Sequence, residues 1–284
     1  IAPVWDGNET WLVLGGGGLL AAFPLAYAVI LPALYAPLIA MLLGLVFRGV
    51  AFEFRWRDPG HRRFWDFSFF AGSLIATLAQ GITLGALLQG IAVEDRAYAG
   101  GWWDWLTPFS LLCGAALVTG YRLLGACWLV MKTTGTLHVK ARRLARWLTP
   151  FTLFMIGAVS LATPYVDEQY FFRWFEWPGL AVTIPMPLLV LGAGYMLWRD
   201  LESGYDARPF IWALALFLLS MVGLGISIWP DVVPGSISIF EAAAPRESQI
   251  FMLVGAVILV PVILGYTAWA YWVFRGKVDE TGYH

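Results

Sequence analysis

The chain has 284 residues, of which 60% are hydrophobic and only 13% charged, with a formal net charge of −1 at pH 7. So few charges cannot cover the surface of a water-soluble protein of this length, and a mean hydropathy of +0.70 marks a polytopic membrane protein. The balanced charge leaves no basic field of the kind that binds nucleic acid.

In chain order, eight apolar stretches reach the roughly 20 residues needed to cross a bilayer. They fall at 4–24, 31–52, 64–88, 107–131, 148–164, 178–198, 209–229 and 250–274. Only a Pro-rich bend around Pro24 and Pro32 separates the first two, so a single span preceded by an interfacial half-helix is the alternative there. Unpaired backbone groups are excluded from lipid and these runs are too long for barrel strands, so the spans are helices. The fold class is all-α, a membrane helix bundle forming a single transmembrane domain over 1–284, expected as two packed bundles.

The loops alternate in charge. One side carries Arg48, Arg55, Arg57, Arg62 and Arg63 after the second span, and Lys132, Lys140, Arg142, Arg143 and Arg146 after the fourth. Arg199, Arg208, Arg275 and Lys277 fall on that side too, while the other has Arg96, Arg173 and Arg246. By the positive-inside rule the first side is cytoplasmic, and so are both ends of the chain. The chain starts with Ile1 and no charged leader, so the expectation is that an N-terminal piece precedes it.

Cys113 and Cys127 lie 14 residues, about 21 Å, apart on one predicted helix, too far for a disulfide, and read as buried apolar residues. His61, His138 and His284 all fall in basic-side loops or the tail. With no histidine inside a span, the usual axial ligand of a membrane haem is missing, and no Cys/His group has zinc spacing. The expectation is no metal and no cofactor bound by this chain, with any redox cofactor on another.

Four features ask for an explanation. Asp6 and Glu9 stand at the head of the first span, three residues apart and so nearly on one face. Ionised carboxylates are costly there, which leaves two compatible readings: a proton-holding pair, or a helix N-terminal cap. Arg122 lies ten residues, about 15 Å, before Lys132, and must meet an acid, carbonyls or water; pairing across a helix or subunit interface is favoured over chemistry. The glycine run at 15–18 lacks a following Lys-Ser/Thr, so it suggests close helix approach, not a phosphate loop. The last outer loop, with Asp231, Glu241, Arg246 and Glu247, reads as a solvated connection.

Ile1-Ala-Pro-Val-Trp-Asp-Gly-Asn-Glu-Thr-Trp-Leu, followed by the glycine run and Ala21-Ala-Phe-Pro-Leu-Ala-Tyr-Ala, resembles the signature of subunit II of cytochrome bd-type quinol oxidases. Further echoes are Gly49-Val-Ala-Phe-Glu-Phe-Arg55, Leu87-Leu-Gln-Gly90, Leu106-Thr-Pro-Phe109, Met131-Lys-Thr-Thr-Gly-Thr-Leu-His138 and Tyr266-Thr-Ala-Trp-Ala-Tyr-Trp272. The glycine run and the tail lean toward the cyanide-insensitive branch.

The resemblance implies a bacterial inner-membrane heterodimer that oxidises quinol and reduces dioxygen to water. Subunit I would hold two haems b, haem d and the quinol site, and subunit II no haem. The family has nine helices, so eight here implies that the first is missing. A small single-helix subunit, membrane lipid and quinone are further expected partners; nucleic acid is not. Asp6 matches an acid on the family's cytoplasmic proton path, and Trp11 a tryptophan near the oxygen-access region. Asn8 carries hydrogen bonding only, Glu9 stands where some relatives have an amide, and Arg122 matches no family motif. A secondary transporter using intramembrane Asp, Glu and Arg is the alternative function, and a purely structural assembly subunit a third.

Overall fold

The computed structural model describes residues 5–278, apart from the side chains of Trp5, Asp6 and Asn8. Helix α1 (Trp5–Ala22) ends where Pro24 removes a backbone donor, and α2 (Pro24–Ala33) starts with that proline in its first turn. After a break at Leu34, α3 (Tyr35–Arg57) runs to the basic end of the bundle. Three helices therefore replace the two spans expected between residues 4 and 52, and α2 is a short helix of its own.

A turn at Asp58 leads into α4 (Arg62–Leu88), which returns to the opposite end. There β1 (Val93–Glu94) and β2 (Ala97–Tyr98) form a small hairpin, with Asp95 and Arg96 at positive φ as a two-residue turn of this hand requires. Helix α5 (Pro108–Lys132) opens on a reciprocal cap, in which the Thr107 hydroxyl accepts from the Ser110 N–H and the Ser110 hydroxyl accepts from the Thr107 N–H. Helix α6 (Gly135–Ala162) rises again, followed by the short α7 (Glu168–Phe175) and α8 (Gly179–Thr183). Helices α9 (Pro185–Glu202) and α10 (Arg208–Ile228) form the next antiparallel pair. A second hairpin, β3 (Asp231–Val233) with β4 (Ile237–Ser238), and a turn of helix α11 (Ile239–Ala242) precede α12 (Arg246–Val273), none of whose residues is buried.

Among the described residues, seven helical segments are long and apolar enough to cross a membrane, and they match the second to eighth predicted spans. The chain is a mostly helical polytopic membrane bundle, with two short hairpins as its strands among the described residues.

Backbone contact draws α3, α4 and α5 together. A Cβ on Gly44 would lie 2.7 Å from the Gly72 carbonyl oxygen, and one on Gly81 would lie 2.7 Å from that of Cys113. Without a hydrophobic drive in lipid, such small-residue contact is what holds membrane helices. The glycines at 15–18 do not do this: a Cβ on any of them would meet nothing within 4 Å. Cys113 and Cys127 are both buried on α5 without a disulfide.

The last loop is also more than a solvated connection. Val233, Ile237 and Ala242 are buried against Ala26, Val29, Ile30 and Ala33 of α2, and the Ala244 N–H donates to the Ala22 carbonyl at 2.8 Å. The Ser236 hydroxyl donates to the Ile91 carbonyl at 3.0 Å, tying the two hairpins together. Val232 and Val233 of β3 and Ile237 of β4 give the loop an apolar group to bury, which its acids and prolines concealed.

Candidate functional site: a polar cluster between α1, α3, α4 and α5

From its junction with the hairpin end, α1 reaches Glu9 thirteen residues before Ala22, about 20 Å away. Arg48 lies the same distance along α3 from Tyr35. At that level Arg48 Nη2 donates to Glu9 Oε1 at 2.6 Å, and the two side chains are 26% and 25% exposed. Arg48 is thus inside α3 and not in the loop after it, correcting the sequence-based placement. The helix persists to Arg57 because its aromatic residues continue to pack on α4: Phe52 meets Phe69 at 5.7 Å and Phe54 meets Trp65 at 5.3 Å between ring centroids.

Beside this pair, the Tyr121 hydroxyl on α5 donates to Gln80 Oε1 on α4 at 2.9 Å. Tyr121 also stacks on Phe217 of α10, with centroids 5.5 Å apart. Two polar pairs, a carboxylate with a guanidinium and an amide with a phenol, therefore stand within the apolar layer. Sequence reasoning missed Gln80, Tyr121 and the role of Arg48. The available signal was a polar residue inside each of the spans 31–52, 64–88 and 107–131.

The predicted site residues divide. Glu9 is in the cluster. Asp6 and Asn8 belong to the first turns of α1, and their side chains lie outside the described residues. Trp11 is on α1 and 36% exposed. Arg122 does not join the cluster: it is exposed on α5 and makes no hydrogen bond or ion pair among the described residues. Among the described residues the internal partner expected of it is not found, because its position turns it outward from the neighbouring helices.

A second polar group clasps the basic end. Asp206, between α9 and α10, accepts from Arg142 at 2.6 Å and from Lys277 at 2.5 Å, with His138 Nε2 at 3.5 Å. Partial burial pushes its carboxyl up, but the Lys277 hydrogen bond and charge, with His138 and Arg142, outweigh this and hold it below the usual carboxylate value. Lys132 Nζ donates to the Phe274 carbonyl at 2.5 Å, and the Val278 N–H donates to the Lys132 carbonyl at 2.8 Å.

Residues 1–274 match the family model of cytochrome bd terminal oxidase subunit II. The chain belongs to that family. It is 30% identical to cytochrome bd-I ubiquinol oxidase subunit 2 of Escherichia coli K12, over 99% of this chain and 83% of the relative. It is 29% identical to a probable cytochrome oxidase subunit 2 of Haemophilus influenzae, over 98% and 83%. It is 28% identical to cytochrome bd ubiquinol oxidase subunit 2 of Bacillus subtilis, over 99% and 84%.

As a cytochrome bd subunit II, the chain is one subunit of a respiratory oxidoreductase complex, a multi-pass protein of the bacterial inner membrane with a subunit I as partner. This replaces the transporter reading. The complex is a cytochrome and so contains haem, but the described histidines do not fit one. His61 Nδ1 lies 2.9 Å from Asp58, and His138 Nδ1 faces the Val130 carbonyl at 3.0 Å, both at the basic end. Among the described residues no three His, Cys, Asp or Glu side chains come together as a metal site.

Proposed function

We propose that this chain is the haem-free subunit of a quinol:dioxygen oxidoreductase and that its first helix forms part of the route by which protons enter from the cytoplasm. The redox groups, two haems b and haem d, belong to subunit I, where quinol is oxidised. The basic end of the bundle faces the cytoplasm, by the positive-inside rule. A small single-helix subunit and a quinone complete the expected partners.

The observation that carries this reading is the Glu9–Arg48 pair on α1 and α3, inside the apolar layer. Reduction of dioxygen to water consumes protons, which cross an apolar layer only along polar groups. Arg48 neutralises Glu9, so Glu9 acts as a fixed polar neighbour. Asp6, three residues earlier on the same helix, then serves as the proton-exchanging carboxylate at the entrance. Asn8 adds hydrogen-bonding capacity, and Trp11 lines the oxygen-access region next to the path. Arg122, exposed on α5, pairs across an interface and takes no part in chemistry.

The test is Asp6→Asn in the assembled oxidase. Oxygen uptake with excess quinol should fall by at least about tenfold, in the range of a lost proton-transfer group, with the haem spectrum unchanged. Wild-type turnover in that variant removes Asp6 from the route.

A further inference from the structure

At the basic end, α6 and α9 open a pocket of about 410 Å³ lined by Val139, Arg142, Arg143, Arg146, Trp147 and Trp198. Its cations are not equivalent. Arg142 is committed to Asp206 at 2.6 Å and to backbone carbonyls, including that of Leu201 at 3.1 Å. Arg146 donates to Glu202 at 2.6 Å through one of its nitrogens. Arg143 has no hydrogen bond or ion pair among the described residues. The Asp206 carboxylate is shared with Lys277, so the pocket keeps an excess of positive charge.

The pocket continues into an apolar surface. On α6, Trp147, Phe151 and Phe154 follow Arg143 at helical spacing and are exposed, and the two Phe rings stack 6.5 Å apart. On α9, Tyr195, Leu191 and Leu188 continue the line from Trp198 and are exposed as well. Two stripes, one on each helix, thus lead from a cationic pocket toward the middle of the bundle. Such a surface suits a ligand with an anionic head and long apolar chains. A free phosphate would use only the arginines, and a zwitterionic head would bring an ammonium group against them.

We propose that this pocket binds an anionic phospholipid, its phosphate held by Arg143 and the free edge of Arg146, and its acyl chains lying along the α6 and α9 stripes. The indole rings of Trp147 and Trp198 mark the boundary between head and chains, where tryptophan is favoured. Basic pockets between membrane helices are suited to such heads.

The assembled oxidase, stripped of native lipid and offered an equal mixture of phosphatidylglycerol and phosphatidylethanolamine with matched chains, tests this by native mass spectrometry. The wild-type complex should retain phosphatidylglycerol preferentially. Arg143→Gln, which strands no partner, should weaken that retention about fivefold, and Arg143→Gln with Arg146→Gln about thirtyfold. Phosphatidylethanolamine retention should be unchanged. Wild-type retention in the ratio offered overturns the proposal, even if the double variant fails to assemble. So does undiminished phosphatidylglycerol binding in Arg143→Gln. Full displacement of the lipid by millimolar inorganic phosphate at matched ionic strength also overturns it, by giving the site to the free anion.

Discussion

Replacing Arg48 by Gln leaves the Glu9 carboxylate without its cation at a level about 20 Å from the hairpin end of the bundle. The contact is short, 2.6 Å, and each side chain is about three-quarters shielded. Fully exposed pairs contribute at most about 1 kcal/mol, whereas breaking a fully buried pair costs about 3–5 kcal/mol. A pair shielded to this degree falls between, at about 2 kcal/mol. For a chain of this size that corresponds to a thermal midpoint lower by about 3 °C. Tryptophan fluorescence of the purified complex during heating reads the shift. Glu9→Gln alone strands Arg48 and should cost a similar amount, while the double variant should recover most of the loss, since two neutral amides can hydrogen-bond each other. If Arg48→Gln destabilises equally with Glu9 present or already replaced, the pair contributes no coupling, and the reading of Glu9 as fixed by Arg48 is wrong.

At the α3–α4 crossing, Gly72→Ala places a Cβ 2.5 Å from the Gly44 carbonyl oxygen, a backbone atom that cannot swing away. A loss of about 1–3 kcal/mol is expected from overpacking, read in the same melting assay, whereas Gly17→Ala, with open space around it, should not destabilise this chain. The clasp at Asp206 gives a pH prediction with a definite sign. Its carboxyl is held lower in the folded chain than in the unfolded one, so its contribution is complete above about pH 4 and is lost as pH falls through the lowered value. Protection of the 274–278 segment from protease should therefore persist from neutral to mildly acid pH. Asp206→Asn should expose that segment at every pH, and wild-type protection in the variant would show that Lys132 alone secures the tail.

The positions of the spans were legible because hydropathy is a local property: a run of about 20 apolar residues must be helical in lipid whatever surrounds it. The interior of α5 was equally accessible, since Cys113 and Cys127 are as buried as their apolar setting implies. Around Pro24 and Pro32 the same reading lost resolution. Hydropathy cannot distinguish a bend inside one span from the separate helix α2, which exists because its small residues Ala26 and Ala33 bury against the hairpins.

The sequence by itself determined the membrane class, the positions of the second to eighth spans, the segregation of basic residues to one end, and, through its opening motif, the family. Only the tertiary structure decided which polar residues meet. Glu9 and Arg48 are 39 residues apart in the chain, and Gln80 and Tyr121 are 41 apart. Each pairing depends on the rotation and depth of two helices, which for α4 and α5 the backbone contact of Gly81 with Cys113 fixes. The same geometry turned Arg122 away from this bundle and brought Arg143, Trp147 and Trp198 to one pocket. Hydropathy alone could order these residues along the chain, but whether they share a face, a partner or a pocket is set by packing.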